Sequence, residues 1–518
     1  MNSAEGSGSA PGTRDRPNSR FTSGPAIVLY VAAVKLLFHL LTASRYGFFR
    51  NELYFLACSE HLAWGYVDQP PLIAFITWFA RHVFGDSLLG LRLLPALAGA
   101  GLVWLTGKIT REMGGGRFAQ ALAAVAVLVA PSYMILQHWM TMNAFEPLMW
   151  MGCAWCVIRI IDSGDPRYWV VFGVLVGVSM ENKYTIAFFA AAILIGLAAT
   201  RERRFLTSRW IWTGGVIALL IFVPNLVWLV RHNFPFLELM SNIRRLGGAP
   251  LLADPFAFIS NQITIMNQGL FPLWAAGLAW LLLGRAASRY RVLGWAYVMM
   301  LVVFITQGGK DYYLAPAYPI LFAGGAVAFE SVTRVRWAWS REAYFALVLL
   351  SGAAVAPRAA PILPVDTYIR EAGPRGAVSD PPGDALPLYF ADEFGWEDMT
   401  REVARIYNAL PPSQRSDTAI FAGNFGEAGA IDFFGAKYGL PKAICSHQSY
   451  WLWGPRNYSG ETVIMLGNVL KESSFSSVKV VGHADNPYSR PVEHFDIFLC
   501  RGLKVPLKDL WPKLKHWS

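Results

Sequence analysis

The sequence predicts a mainly α-helical, polytopic membrane fold that carries a soluble α/β domain toward its C-terminal end, and three observations predict it. Of 518 residues, 54% are hydrophobic and only 15% charged, with a mean hydropathy of +0.35, too apolar for an ordinary soluble chain. Apolar runs near the length that crosses a bilayer recur from residue 26 to residue 356. Beyond 357 the pattern changes to a proline-rich stretch (Pro357, Pro361, Pro364, Pro374, Pro381, Pro382) and then to short alternating segments.

Taken in order, residues 1–24 are polar and rich in Gly, Ser and Pro, with Arg14, Arg16 and Arg20 and no Ala-x-Ala cleavage pattern after the first apolar run. They read as a disordered cytoplasmic tail ahead of an uncleaved helix. Residues 25–356 form the membrane domain, with about eleven runs at 26–44, 87–107, 118–137, 144–161, 168–180, 184–199, 210–230, 270–284, 292–306, 312–329 and 342–356. Basic residues concentrate in alternate gaps, among them Lys108, Arg111, Arg117, Arg159, Arg167, Arg201, Arg203, Arg204, Arg285, Arg289 and Arg291. The positive-inside rule then places the N-terminus in the cytoplasm of an inner-membrane protein and residues 357–518 outside it.

The formal charge of +10 lies in these short gaps rather than in one basic tract, which argues for membrane orientation and against nucleic acid as a partner. The five cysteines are too few for a disulfide framework; Cys153 and Cys156 sit in an apolar run, and Cys445 with Cys500 is the pair left to form an outer disulfide. In the outer domain, strands are expected at 417–422, 461–467, 477–481 and 495–500, with helices near 397–409 and 425–437. Gly423-Asn424-Phe425-Gly426 lacks the full dinucleotide spacing and reads as a strand-to-helix turn.

No phosphate-binding Gly-x-x-x-x-Gly-Lys-Ser/Thr loop, His-Glu-x-x-His pair or Gly-x-Ser-x-Gly elbow occurs, which sets aside an ATP-driven pump, a zinc protease and a serine hydrolase. The chemistry-bearing residues cluster instead at the predicted outer ends of the runs. The first outer loop, 45–86, contains Arg50-Asn51-Glu52-Leu53-Tyr54-Phe55 and then Trp64-Gly65-Tyr66-Val67-Asp68-Gln69-Pro70-Pro71-Leu72. Apolar residues at helical spacing (Leu53, Leu56, Leu62, then Ile73, Ile76, Phe79, Val83) predict interfacial amphipathic helices over 50–84. Further clusters are Thr141-Met142-Asn143-Ala144-Phe145-Glu146, Glu181-Asn182-Lys183 and Lys310-Asp311-Tyr312-Tyr313. An ionisable group at a membrane edge is costly unless paired, so Glu146 and Lys183 are either functional or a structural ion pair. His61 and His138 lie nearby and read as structural, hydrogen-bonded histidines.

The Glu52 motif, the Trp64-Gly65-Tyr66-x-Asp68-x-Pro70-Pro71-Leu72 run, Thr141-x-Asn143 and Lys310-Asp311-Tyr312-Tyr313-Leu314 together resemble the glycosyltransferase 39/83 group, which holds protein mannosyltransferases and aminoarabinose transferases. The resemblance covers residues 26–330, and the ending Cys500-Arg501-Gly502 with Trp511-Pro512-x-Leu514-Lys515 resembles bacterial members with an extra domain. It implies a GT-C fold and inverting transfer of a sugar from a polyprenyl-phosphate donor to an extracytoplasmic glycan, lipid or protein acceptor, among membrane lipids. A lipid carrier agrees with the topology, since an outer active site has no nucleotide sugars to use.

Such chemistry needs a carboxylate to take the acceptor's proton, and cations or a divalent metal ion to receive the departing phosphate. Arg50, Lys183 and Lys310 are the expected phosphate partners; Asp68, Gln69, Asn143, Glu146, Asp311, Tyr312 and Tyr313 are expected to bind substrate. No residue is assigned to a metal. Relatives usually carry aspartate where Asn51 stands, and many do at Asn143; an amide takes no proton at neutral pH, which moves the expected base to Glu52. Two alternatives remain: a transporter or flippase, which would place polar groups and broken helices at mid-membrane, and a disabled transferase that only binds lipid-linked glycan.

Overall fold

A computed structural model describes residues 20–246, 254–334, 337–372 and 386–518, so most of the predicted tail and part of the proline-rich stretch lie outside the described residues. The chain is mainly helical, in the order α1 (Gly24–Thr42), α2 (Arg50–Glu60), α3 (Leu72–Phe84), α4 (Leu88–Glu112), α5 (Arg117–Val129), α6 (Pro131–Leu136), α7 (Met142–Ser163), α8 (Tyr168–Met180), α9 (Thr185–Ala198) and α10 (Arg209–Arg231). There follow α11 (Pro235–Leu246), α12 (Pro255–Ile265), α13 (Phe271–Leu283), α14 (Arg291–Thr306), α15 (Tyr318–Val332) and α16 (Trp339–Ala359).

Every predicted apolar run is helical, but by length and composition six helices among the described residues suffice to cross a membrane, or up to eight if each of two bent pairs is one span. The difference has local causes. The run 118–137 is broken where Ala130 turns extended ahead of Pro131, since proline's ring disfavours helical backbone in the residue before it. α8 has 13 residues, about 20 Å of rise against a hydrocarbon core of about 30 Å. α9 turns by 115° into the short helix Arg201–Thr207.

The C-terminal domain, called the outer domain after its expected side, is built on one five-stranded sheet of β1 (Thr418–Ala422), β2 (Ile444–Cys445), β3 (Thr462–Leu466), β4 (Phe475–Ala484) and β5 (Phe495–Leu503), in spatial order β2-β1-β3-β5-β4. β1 pairs in parallel with β2 and β3, while β5 runs antiparallel to β3 and β4. The four predicted strands and the helices Trp396–Ala409 and Phe425–Phe434 fall near where the sequence pattern put them; the two-residue β2 is too short to show a pattern. Asn424 caps the second helix by accepting from the Gly426 and Glu427 amides, which explains the glycine-flanked turn without a ligand. The Cys445–Cys500 disulfide does not form: β1 and β3 stand between them, about 14 Å at normal strand spacing, and a disulfide spans at most about 7 Å between Cα atoms.

Packing changes the reading of the first outer loop. α3 is amphipathic as predicted, with Phe75, Phe79 and Val83 exposed along one stripe. α2 is buried from Glu52 through Ser59, so it is not an interfacial helix half in lipid. It shares one apolar core with the outer domain, in which Leu53, Phe55 and Tyr54 meet Phe425, Ile431 and Tyr450. The approach is close enough that a Cβ at Gly429 would stand 2.7 Å from the Leu53 carbonyl oxygen. Separate in sequence, the outer domain and first loop are one body in space.

Candidate functional site

Two polar constellations form at one end of α4, α7 and α9, the first of them against the C-terminal domain. The first centres on Arg92, which periodicity hides because it lies in the apolar run that becomes α4. Its Nε and Nη2 donate to the two oxygens of Glu52 at 3.0 and 2.7 Å. Nη1 donates to the Ala43 carbonyl at 2.8 Å and faces His138 Nε2 at 2.9 Å, while Nη2 also reaches the Gly47 carbonyl at 2.8 Å and Glu393 at 3.2 Å. Glu52 accepts in addition from the amides of Met140 at 2.8 Å and Phe49 at 2.9 Å; the second bond caps α2.

This arrangement bears directly on the expected base. Glu52 is 0% exposed and its two oxygens take four hydrogen bonds, two of them charge-assisted, which leaves no lone pair open to an acceptor hydroxyl. The geometry makes it a strut that ties α2 to α4 and to the turn before α7. Glu393 enters from the outer domain, and Gly47 lets it in: a Cβ there would lie 2.1 Å from the Glu393 carbonyl oxygen. Burial raises Glu393 to about 8 despite Arg92, because Glu52 already claims that charge.

The second constellation forms around Lys183, in the corner between α8 and α9. Asn143 and Glu146 lie about one turn apart on the same face of α7, and both accept from Lys183 Nζ at 2.9 Å. Thr185 donates to the other Glu146 oxygen. The ammonium also stands 4.3 Å from the Tyr313 ring centroid and 5.8 Å from that of Tyr312, both supplied by the 3₁₀ segment Asp311–Ala317. Asp311 is held aside by Asn261 at 2.9 Å, while Lys310 is exposed and its side chain has no ion pair or hydrogen bond among the described residues.

The first-loop run reaches the same corner. The Leu72 amide donates to the Glu181 carbonyl at 2.8 Å and Asp68 acts electrostatically on Tyr184 of the same turn, while the buried Gln69 amide faces the Cys58 sulfur at 3.7 Å. Asp68 is part-buried; one oxygen accepts from Tyr54 at 2.9 Å, and burial pushes its carboxyl up to about 6. Glu181 is buried with both oxygens unpartnered, and burial pushes it to about 8. The outer domain clamps the run: Ser449 donates its amide to the Tyr54 hydroxyl at 3.2 Å and accepts from the Val67 amide at 3.1 Å. From α10, Asn225 donates to the Trp64 carbonyl at 2.7 Å.

The structure therefore gathers Asn143, Glu146, Lys183, Tyr312 and Tyr313, leaves Asp68 near Tyr184 of the same turn, turns the buried Gln69 amide onto Cys58, and sets Arg50, Asn51 and Glu52 apart. Arg50, read as a phosphate partner, faces Asp392 at 4.0 Å and stacks on Phe425 at 5.0 Å, in the field of Glu427 and Glu493 of the outer domain. An arginine among those carboxylates is an interface residue. Asn51 is part-buried and its side chain has no hydrogen bond among the described residues, and Glu52 is the strut described above. His61 stacks on Trp453 at 4.3 Å, as a structural histidine does. Among the described residues no three His, Cys, Asp or Glu side chains stand together as a metal-binding group.

Missed by sequence reasoning were Arg92, Glu393, Tyr54, Ser449 and Asn225. Arg92 had a usable signal, an arginine inside an apolar run. The others came from tertiary contact alone.

Residues 68–228 match the family described as dolichyl-phosphate-mannose-protein mannosyltransferase. Over 291 residues, 51% of this chain and 56% of the relative, the sequence is 25% identical to the lipopolysaccharide core galacturonosyltransferase RgtB of Rhizobium johnstonii. It is 26% identical to RgtA of the same organism over 34% of this chain and 36% of that one. The chain thus spans about half or less of the length of these curated relatives. In three dimensions it is similar to ArnT from Cupriavidus metallidurans, solved with undecaprenyl phosphate bound, with a TM-score of 0.59 and 14% identity over 91% of this chain and 97% of that one. The apo form of the same protein gives a TM-score of 0.58.

Proposed function

We propose that this chain, a multi-pass membrane protein with the GT-C fold, transfers a sugar from a polyprenyl-phosphate carrier to an extracytoplasmic acceptor, with inversion at the anomeric carbon. The observation that carries the reading is the Lys183 corner, where an ammonium held by Asn143 and Glu146 is partly open to solvent and the adjoining Tyr184 lies in the field of Asp68. Support also comes from the similarity to named glycosyltransferases and from undecaprenyl phosphate bound in the structural relative. Basic gaps on the opposite side favour a cytoplasmic N-terminus and an extracytoplasmic outer domain.

In this reading Asp68, not Glu52, is the base. Among the described residues Tyr54 is its one side-chain partner, and a carboxyl near 6 is mostly ionised at neutral pH yet basic enough to accept a proton. As Asp68 takes the acceptor's hydroxyl proton, the acceptor oxygen bonds to the anomeric carbon. The sugar–phosphate bond breaks on the opposite face, and its electron pair stays on the polyprenyl phosphate. Lys183 and the exposed Lys310 are the cations for that charge. No step is assigned to a metal ion.

The test is transfer by purified, reconstituted protein from a panel of radiolabelled polyprenyl-phosphate sugars. Asp68→Asn is expected to lose about a hundredfold to ten-thousandfold in rate, the range for a positioned general base. The wild-type rate should rise with pH to a plateau above about 6, because the base must be ionised. Full activity in Asp68→Asn refutes the assignment. Wild-type silence with every donor, alongside retained polyprenyl-phosphate binding, would favour a binder of lipid-linked glycan.

A further inference from the structure

An open cleft of about 460 Å³ lies between α2 and α3, lined by Ser59, Glu60, Trp78, Arg81, His82 and Asp86, and nothing in the transfer chemistry uses it. Its volume suits a small ligand. By helix rise, Arg81 stands about 15 Å along α3 from the Pro70-Pro71 turn that follows Asp68. The cleft is therefore a separate place from the Lys183 corner, on the same rigid helix.

Its charges are already spent on one another. Arg81 donates through Nε and Nη2 to the two oxygens of Asp86 at 2.7 and 3.4 Å, and through Nη1 to Glu60 at 3.2 Å, Ser59 at 3.1 Å and the Leu56 carbonyl at 3.3 Å. The other Glu60 oxygen takes Lys442 of the outer domain. Two cations and two carboxylates cancel, so no positive charge is left over for a phosphate or a uronate. What remains is a preorganised set of carboxylate acceptors beside an aromatic surface, Trp78 packed on His82 with centroids 4.4 Å apart. Hydroxyl groups and the apolar face of a neutral sugar match that combination.

The same helix indicates where the sugar comes from. Phe75, Phe79 and Val83 form its exposed apolar stripe, with Phe84 also exposed, which seats α3 in the membrane interface with the cleft at headgroup level. We infer that this cleft is a binding site for an uncharged sugar in the headgroup of a membrane-anchored glycan; resting on the transferase reading, it holds the acceptor while the distant end of that glycan meets Asp68. The acceptor class is then a lipid bearing more than one sugar.

The full chain in phosphatidylcholine nanodiscs tests this, with native mass spectrometry reading retention of a neutral diglycosyl diacylglycerol, phosphatidylglycerol, undecaprenyl phosphate and the free disaccharide. The diglycosyl lipid is expected to be retained over phosphatidylglycerol and the free disaccharide, and to lose about tenfold in Trp78→Ala and less in His82→Ala, with undecaprenyl phosphate retention unchanged. Equal retention of the diglycosyl lipid by wild type and both variants overturns the site. Retention of phosphatidylglycerol as strong as the glycolipid's overturns its neutral character, and free disaccharide held equally well overturns the membrane-anchored source. Because retention needs no turnover, silence of the transferase assay with glycolipid still held would refute the transfer reading and leave the binding site standing.

Discussion

Arg92 with Glu52 and Lys183 with Glu146 are the same sequence object, a basic and an acidic side chain near the ends of apolar runs, and the fold puts them to opposite uses. The Arg92 guanidinium and the Glu52 carboxylate are almost wholly buried and saturated, with partners from α1, α2, the turn before α7 and the outer domain. Lys183 keeps 12% of its side chain exposed, spends part of its hydrogen-bonding capacity on a neutral amide, and faces two aromatic rings rather than a second carboxylate. A buried charge whose bonds are all used holds structure; one whose bonds point partly at a solvent-facing corner can exchange them for a substrate. Counting unused donors and acceptors separates strut from site where residue type does not.

Four substitutions break or sharpen that contrast, beginning with the largest effect. Arg92→Met leaves Glu52 buried without its cation and is expected to cost about 3–5 kcal/mol in stability, read as a fall in unfolding temperature and in yield of dispersed protein. An Arg92→Met protein that folds normally but transfers nothing would make the hub part of the chemistry. Lys183→Met should do the reverse, with near wild-type folding and transfer reduced on the order of a hundredfold, as when one donor to a developing anion is removed. Loss of folding in parallel with activity would make the Lys183 corner a second strut.

Glu393 gives a pH signature to the hub alone. Its carboxyl ionises near 4.5 when unfolded and near 8 when folded, so between those values the native state holds a proton that the unfolded chain has released. Stability from this group is full below about 4.5 and declines as pH rises toward 8, at most by about 1.4 kcal/mol per pH unit. Thermal unfolding across that range should show the decline, and Glu393→Gln should flatten it; an unchanged slope removes Glu393 from the account. The smallest effect is expected of Asn51→Asp. The Asn51 side chain has no hydrogen bond to lose, so transfer should stay within about twofold of wild type, the scale of a substitution that touches no packed feature. Activity appearing only in Asn51→Asp would restore that position as the base and mark the natural chain as disabled.

Much of the fold was legible in the sequence, for identifiable reasons. A membrane helix must satisfy its own backbone, so a long apolar run fixes its conformation locally, and the predicted runs became helices. In the outer domain the strands were legible as short apolar runs, continuous in β1 and β3 where both faces are buried, set between turn residues. The site was legible only in part. Asn143, Glu146 and Lys183 were named as polar groups at an outer edge, but their meeting depends on α7 and α8 packing side by side. That the Glu52 carboxylate is saturated was not legible, because its partner Arg92 lies 40 residues away in what reads as an ordinary span.

By itself, then, the sequence determined what is local: which segments are helical, that apolar surface demands a membrane, which carboxylates and cations gather near its outer edge, and that Asn51 is no base. Only the tertiary structure decided which of those charges are consumed by one another, that α2 belongs to the core of the outer domain, and that Tyr54 is the side chain that meets Asp68. The division is physical. Backbone hydrogen bonding and hydropathy act over a few residues, whereas the fate of a charge depends on whichever partners the packing brings within about 3 Å of it.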